Sequence, residues 1–233
     1  MIGILGGTFD PVHHGHLRLA EEVREALGLG QVRFIPAFQP PHREAPVASA
    51  RHRLAMLHLA VQDNEAFVVD TREYDRGGPS WMVDTCASLR DEFADRPLVL
   101  IMGMDAFNGF TRWRDWRGIL ERVHLAVASR PGARAEGEAA ALLAARGCTP
   151  DGLDRCVWNA SGLAAGKPEG GPPMDGRHQP PPAGRIVEVP ISALDISATR
   201  LRELAAQNHS TRYLLPEAVR EYLLEHRLYR TNP

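Results

Sequence analysis

The sequence predicts an α/β fold, a doubly wound parallel sheet with a C-terminal helical segment. Short apolar runs alternate with helical patterns along the chain, as in βαβ units. The run Leu98–Met102 is apolar throughout, which is typical of a central parallel strand covered on both faces. The chain has 233 residues, of which 44% are hydrophobic and 24% charged, a composition ordinary for a globular domain.

The predicted strands are short apolar runs bounded by turn residues. The first precedes a glycine pair, and the second stops at Pro36. In chain order they are Ile2–Leu5, Val32–Ile35, Phe67–Val69, Leu98–Met102, Leu125–Ala128 and the weaker Ile186–Val189. Ligands of such sheets bind at the carboxyl ends of the strands, near the switch in strand order.

The predicted helices carry apolar residues at helical spacing. Gly28 is placed to end the first, Ser49 to cap the second, and Pro216 to occupy the first turn of the last. In chain order they are Leu17–Leu27, Arg51–Val61, Ser80–Phe93, Glu136–Arg146 and Leu215–Tyr229. Residues 161–184 are dense in glycine and proline, so we expect a surface loop that catalysis does not need.

Composition excludes several classes of function. A formal net charge of -2 gives no bulk electrostatic case for nucleic acid or an acidic membrane, and no run approaches the ~18 apolar residues of a membrane span. The 3 cysteines form no CxxC pair, so we expect no zinc site and reduced thiols in a cytoplasmic protein. Lys167 is the single lysine, so arginine, histidine and backbone N–H groups must hold any bound phosphate.

Residues 6–16, GGTFDPVHHGH, lie between the first strand and the first helix. Gly6 and Gly7 allow a sharp turn that presents backbone N–H groups, and the following helix adds its positive N-terminal end. His13 and His16 can donate hydrogen bonds to phosphate oxygens. A plain structural turn and a metal-binding histidine pair are the alternatives, whereas a dinucleotide fingerprint is disfavoured because the string does not continue as GxGxxG.

This string resembles the signature of the HxGH nucleotidyltransferase superfamily, and specifically of bacterial nicotinate-nucleotide adenylyltransferases. The resemblance implies a Rossmann-like nucleotidyltransferase domain over residues 1–233, with a variable insertion at about 133–185. It implies that His13 and His16 are catalytic, contacting the phosphates of ATP and stabilising the transition state. It also places Gly6, Gly7, Thr8 and Phe9 at ATP, and Asp10 at the acceptor.

A second motif is Ile196-Ser197-Ala198-Thr199-Arg200-Leu201-Arg202, which opens a helix after the weak strand. Ser197 or Thr199 can cap that helix, and Arg202 can offer several N–H donors to phosphate. Alone the pattern indicates a capped helix with surface arginines. It is similar to the ISSTxxR motif of the same superfamily, which implies ATP binding by Ser197 and Thr199 and a catalytic role for Arg202.

Weaker matches lie between the two motifs. Gly103 and Asp105 follow the central strand, and the family's GxD motif implies that they bind ATP, although Asp105 could instead cap a helix. The remaining matches are implied to bind the acceptor: His42, Arg43, Thr85, Trp113 and Arg130. Trp81, Met82 and Arg114 depart from the family pattern. At the position of Arg114 the family usually has a tyrosine.

The resemblance implies transfer of AMP from ATP to nicotinate mononucleotide, giving deamido-NAD and pyrophosphate in NAD biosynthesis. Mg²⁺ is expected to travel with ATP and pyrophosphate, with no dedicated protein ligands. ATP and nicotinate mononucleotide are the expected partners, and a homo-oligomer stays open. Alternatives are nicotinamide mononucleotide or phosphopantetheine as acceptor, a nucleotide-binding sensor without turnover, and a Rossmann oxidoreductase.

Overall fold

The structure is a computed structural model that describes residues 1–41, 45–153, 183–192 and 194–230. Its strands within these ranges lie where the sequence predicts them, apart from a two-residue strand, β6, that was not expected. They are β1 Ile2–Gly7, β2 Gln31–Pro36, β3 Phe67–Val69, β4 Leu98–Gly103, β5 His124–Ser129, β6 Gly147–Cys148 and β7 Ile186–Pro190. Most of the loop expected at 161–184 lies outside the described residues.

The helices of the described residues include five long ones near the predicted positions, the helix of the second motif and three short ones. They are α1 His14–Ala26, α2 Ala50–Val61, α3 Arg72–Arg76, α4 Met82–Glu92, α5 Met104–Asn108, α6 Trp116–Leu120, α7 Gly137–Arg146, α8 Ala198–Ala206 and α9 Glu217–Glu225. A 3-10 turn covers Phe110–Arg112. Within the described part of the chain, no helix combines the length and apolar character needed to cross a membrane.

Two helix ends differ from the sequence prediction by three residues or more. α1 starts at His14, inside the histidine motif, three residues before the expected Leu17. α9 ends at Glu225, because Arg227 and Tyr229 both have positive φ values, 49° and 63°, that no right-handed helix accommodates. The N-cap of α9 is Pro216, which the sequence had placed in the first turn.

The sheet confirms the predicted doubly wound fold. Among the described residues its seven strands run in the order β3-β2-β1-β4-β5-β7-β6, and every pairing is parallel. The chain moves outward from β1 to β3, then returns to β4 on the other side of β1. The switch in strand order therefore lies between β1 and β4, where ligand sites of such sheets form.

Two apolar cores cover the two faces of this sheet. One packs α1, α2, α8 and α9 against it, and the other packs α4, α5, α6 and α7. The side chains of β4 are buried from Leu98 to Met102, as expected for a central strand. Each face therefore brings its own set of loops to the carboxyl edge of β1 and β4.

Candidate active site

A cleft of about 1000 Å³ opens at the switch between β1 and β4. It is bounded by the loops of both sheet faces and by the segment after β2. Most residues that the sequence singled out line it: Gly6, Gly7, Thr8, Phe9, Asp10, His13, His16, Gly103, Asp105, Trp113, Ser197, Thr199 and Arg202. His42 and Arg43 lie outside the described residues, whereas Pro40 and Pro41 beside them line the cleft.

We call residues 6–16 and 196–202 the histidine wall of the cleft. The loop after β1 is tightly packed, which explains its glycines. A Cβ atom on Gly6 would lie 2.4 Å from the Met82 Cε, and one on Gly7 would lie 2.9 Å from the Phe9 ring. Phe9 itself is buried with a φ of 49°, so its ring supports the loop from below. The backbone of this loop can therefore approach a ligand closely.

The two motif histidines stack on each other at the start of α1. Their ring centroids are 3.7 Å apart with an interplanar angle of 29°. The backbone N–H of His13 donates to Nδ1 of His16 at 3.3 Å. With Nδ1 accepting, the neutral His16 ring carries its proton on Nε2 and donates from there.

Gly15 is required by this stack. A Cβ atom at Gly15 would lie 3.0 Å from Nδ1 of His13 and 3.6 Å from the carbonyl oxygen of Ile196. The glycine of the motif therefore leaves room both for the His13 ring and for the second motif. The sequence predicts that Gly15 allows a ligand to approach closely, and the structure adds the His13 ring as a neighbour that a side chain would meet.

His13 is neutral at physiological pH. Burial, and to a smaller extent the nearby His14, lower the pKa of His13 from 6.5 to about 4. Its Nδ1 is buried and has no hydrogen-bond partner within the described part of the chain. A neutral imidazole with one N–H is a hydrogen-bond donor to an anion rather than a fixed positive charge.

The second motif forms the other part of the histidine wall. Ser197 caps α8, its hydroxyl accepting from the backbone N–H of Arg200 at 3.2 Å, as the sequence predicts. Arg202 lies one turn into the helix and donates to Thr199 Oγ1 at 3.3 Å and to the backbone carbonyl of Asp10 at 2.8 Å. The N-terminal ends of α1 and α8 thus meet at one cleft, and both favour an anion there.

Asp10 ties the histidine wall to distant parts of the chain. Its carboxylate accepts from the backbone N–H groups of Val47 at 2.8 Å and Ala48 at 3.1 Å. It also accepts from the Tyr229 hydroxyl at 2.6 Å. Burial first, and then the bond to Asp10, raises the pKa of Tyr229, which keeps the hydroxyl a donor. Asp10 therefore fixes the loop, in addition to lining the cleft where the resemblance implied acceptor binding.

Arg53 is a buried cation that sequence analysis did not single out. It lies on α2 and donates to the carbonyl oxygens of Thr8 at 2.8 Å, Ala37 at 2.6 Å and Phe38 at 3.0 Å. It joins the loop after β1 to the loop after β2 behind the cleft. The helical pattern around Arg53 did not indicate this role, because the acceptors of Arg53 are backbone atoms of segments up to 45 residues away.

The opposite side of the cleft, which we call the aromatic wall, consists of Trp81, Trp113 and Arg114. Trp113 is half-buried, and the Phe110 ring packs edge-on against it at 5.5 Å between centroids. The Arg114 guanidinium lies over the Trp81 ring, 4.9 Å from its centroid. Flat rings at the mouth of a polar cleft suit a planar heterocycle.

Asp105 lines the cleft from the first turn of α5. Gly103 is the N-cap of that helix and the Asp105 side chain makes no capping bond, so the alternative role as a cap is wrong. The Asp105 side chain is 86% exposed, and Arg130 donates to it at 3.2 Å. Arg130 itself does not line the cleft; it reaches the site through Asp105.

Thr85 is, besides Arg130, a predicted residue that does not line the cleft. It is fully buried in α4. Its hydroxyl donates to Glu73 Oε1 at 2.6 Å and accepts from the Arg76 guanidinium at 3.3 Å. It lies one helical turn behind Trp81, so it supports the aromatic wall from the interior.

The cleft offers little to a metal ion by itself. Among the described residues, no group of three or more histidine, cysteine or acidic side chains could hold a metal. The carboxylates that line the described part of the cleft are Asp10, which already accepts three hydrogen bonds, and the exposed Asp105. A Mg²⁺ ion here fits only as an ion held mostly by phosphate oxygens and water.

Comparison with known proteins gives the class and then the family. Residues 4–204 match the model described as cytidylyltransferase-like, so the protein is a nucleotidyltransferase. A Methylococcus capsulatus protein named "Probable nicotinate-nucleotide adenylyltransferase" is 44% identical over 98% of this chain and 99% of its own length. An Aeromonas hydrophila relative of the same name is 43% identical, over 98% and 97%. The chain belongs to the nicotinate-nucleotide adenylyltransferase family.

Solved structures support the fold. The nicotinic acid mononucleotide adenylyltransferase of Plasmodium falciparum complexed with NaAD has a TM-score of 0.66 over 98% of this chain and 96% of that one. The same Plasmodium falciparum protein complexed with APC has a TM-score of 0.65 with the same coverage. Both share 11% of residues with this chain, so the likeness concerns the α/β nucleotidyltransferase fold.

Proposed function

We propose that this enzyme transfers AMP from ATP to nicotinate mononucleotide, releasing pyrophosphate and forming deamido-NAD for NAD biosynthesis. The observation that carries the proposal is the convergence of both family motifs on one cleft, with Arg202 of the second motif bonded to Asp10 of the first at 2.8 Å. The identity of 44% across nearly the whole chain to a relative of that name supports the choice of substrate.

The histidine wall takes the triphosphate in this proposal. Backbone N–H groups after β1 and the ends of α1 and α8 face the anion. His13, His16 and Arg202 donate to the oxygens on which charge develops as the bond to pyrophosphate breaks. The neutral state of His13, whose pKa of about 4 lies below the working pH, makes it a donor without requiring a proton transfer.

The acceptor needs no activation. Its phosphate monoester is mostly ionised near neutral pH, with a second pKa of about 6, so it attacks the α-phosphorus of ATP directly and in line. The enzyme's contribution is to align two polyanions and to stabilise the pentacoordinate arrangement electrostatically. No side chain has to act as general base or covalent nucleophile.

The remaining assignments place the sugar, ring and metal. Asp105, with its carboxylate exposed at the end of β4, accepts from ribose hydroxyls. Trp113 offers its face to the pyridine ring, and Arg130 holds a phosphate or the Asp105 carboxylate. Mg²⁺ bound with ATP would supply positive charge to the phosphates, while Asp10 and Asp105, the carboxylates in the described lining of the cleft, would add little to its coordination.

The same proposal treats residues 1–233 as one catalytic domain acting in the cytoplasm, with an insertion at about 133–185. Its support is that the histidine wall combines residues 6–16 with residues 196–202, so neither end of the chain forms the site alone. The family model also spans both motifs.

The test is pyrophosphate release from ATP and Mg²⁺ with nicotinate mononucleotide, nicotinamide mononucleotide or phosphopantetheine as acceptor. We expect pyrophosphate release to be fastest with nicotinate mononucleotide. Preference for phosphopantetheine would retain the nucleotidyl transfer and overturn the acceptor. No release with any acceptor would favour the nucleotide-binding sensor.

A further inference from the structure

The aromatic wall contains an arginine whose role the reaction chemistry does not explain. Among the described residues that line the cleft, the arginines are Arg114 and Arg202. Arg202 is bonded to Asp10 and Thr199 in the histidine wall. Arg114 is exposed, and within the described ranges its recorded contact is the face of Trp81.

The Trp81 ring holds the Arg114 guanidinium without neutralising it. A guanidinium 4.9 Å from a ring centroid is stabilised by the ring quadrupole and retains its full charge and its N–H donors. Among the residues that the structure describes, no carboxylate forms an ion pair with it. Because Arg114 is exposed, its N–H donors remain able to bind a ligand group.

The two walls therefore carry cations at two separate places in one cleft. Arg202 lies on α8, which packs in one core with α1, α2 and α9. Trp81 and Trp113 pack against the core on the other face of the sheet, and Arg114 lies over Trp81. Nicotinate mononucleotide has a matching distribution of charge, with a phosphate at one end and a ring carboxylate at the other. Nicotinamide mononucleotide has the phosphate and lacks the second anion.

We propose that Arg114, held over the Trp81 ring, binds the ring carboxylate of the acceptor and is the specificity-determining residue for acid over amide. This inference rests on the proposed function. A guanidinium bonds a carboxylate through two parallel N–H groups, whereas the carboxamide offers one acceptor oxygen and an NH₂ that opposes the donors. Trp113 stacks on the pyridine ring and brings the carboxylate within reach.

The chain offers a matched control. Arg117 lies over the Trp116 ring at 4.3 Å, in the same segment and with the same chemistry, yet neither residue lines the cleft. Arg117→Gln therefore removes an equivalent stacked cation without touching the site. Arg114→Lys keeps a positive charge and loses the planar pair of donors.

The experiment measures kcat/KM for nicotinate and nicotinamide mononucleotide with the wild type and the variants Arg114→Gln, Arg114→Lys and Arg117→Gln. Loss of a charge-assisted bond predicts that Arg114→Gln lowers kcat/KM for the nicotinate acceptor about tenfold. The value for the nicotinamide acceptor should stay within about twofold, because the amide gains little from the cation. Arg114→Lys should fall between, and Arg117→Gln should match the wild type.

Salt gives a second readout. The preference of the wild type for the acid should weaken as ionic strength rises, and that of Arg114→Gln should not. If Arg114→Gln kept the wild-type ratio of kcat/KM for the two acceptors, the role of Arg114 would be overturned while the proposed function stands. This holds whether both values stayed the same or both fell equally. A wild type that does not use nicotinate mononucleotide at all would instead overturn the proposed function.

Discussion

The two walls of the cleft are built differently. The histidine wall is tightly bonded: the Asp10 carboxylate accepts three hydrogen bonds, and Arg202 is fixed to the Asp10 backbone at 2.8 Å. The aromatic wall has few polar ties. Arg114 rests on a ring, and the Asp105 side chain is 86% exposed.

We propose that this difference corresponds to a division of roles between charge stabilisation and acceptor recognition. Stabilising charge on a transferring phosphoryl group requires donors that do not reorganise during the reaction, so their supports are buried and redundant. Distinguishing one acceptor from another depends on a few side chains that can change without disturbing the fold. Three departures of this chain from the family pattern, Trp81, Met82 and Arg114, occur on or beside the aromatic wall, whereas the histidine wall has one, Ala198 in place of a serine.

The largest effect on activity should follow from removing a hydrogen-bond donor of the histidine wall. His16→Ala removes an Nε2–H that faces the developing charge, and turnover should fall by about 10²–10³. His14→Ala is the control, since His14 lies in the same motif but lines a different surface depression. Pyrophosphate release under saturating substrates gives the measurement. Near-normal turnover of the His16→Ala enzyme would remove its proposed role and the contrast between the walls.

A smaller effect should follow from loosening the supports of that wall. Tyr229→Phe removes a buried bond to the Asp10 carboxylate, which should cost about 1.5–3 kcal/mol of stability and lower Tm by roughly 5 °C. We expect kcat/KM for ATP to fall by up to about tenfold, because the loop of His13 and His16 loses a tie. Thermal unfolding and initial rates test both.

The control for that variant is Tyr213→Phe. Tyr213 is 84% exposed, so removal of its hydroxyl should change neither Tm nor rate. If Tyr229→Phe behaved like Tyr213→Phe, the bond to Asp10 would be dispensable and the histidine wall would be less firmly supported than described.

The smallest effect on activity concerns pH. With a pKa of about 4 in the folded protein against 6.5 when unfolded, His13 is neutral from pH 8 down to about 5. Its titration should therefore leave no inflection near pH 6.5 in kcat/KM for the wild type. Between pH 6.5 and 4 the unfolded state binds more protons at this site, so stability falls as the pH is lowered.

That pH effect is measurable by difference. Urea unfolding of the wild type and His13→Gln at pH 7 and pH 5 should show that the wild type loses about 1–2 kcal/mol more than the variant. Equal losses would mean that His13 titrates normally and is not desolvated in the wall.

Sequence patterns predicted the sheet well because its strands are buried apolar runs of ordinary length. α3, α5 and α6 have five residues each, too few for a helical period to be visible, and they were missed. The two motifs of the histidine wall were found from the sequence because their glycine, histidine and helix-capping residues lie close together in the chain. Their catalytic and binding roles stay predictions until the variants are assayed.

The supports of the site were beyond sequence reasoning because they join distant segments. Arg53 donates to backbone carbonyls, which carry no residue signature. Thr85 matches a ligand-binding position, yet its hydroxyl is directed to Glu73, a residue on a different helix. Both outcomes depend on tertiary packing rather than on periodicity or composition.

The bond between Tyr229 and Asp10 has a consequence for how the protein is made. The two residues are separated by 219 positions, so a ribosome adds Tyr229 long after it has made the loop that contains Asp10. A nascent chain interrupted before Tyr229 would contain every side chain proposed as catalytic. It would still lack the Tyr229 hydroxyl that bonds to Asp10 and supports the loop of His13 and His16. We therefore expect incomplete chains to hold this loop less firmly than finished molecules and to be weaker enzymes.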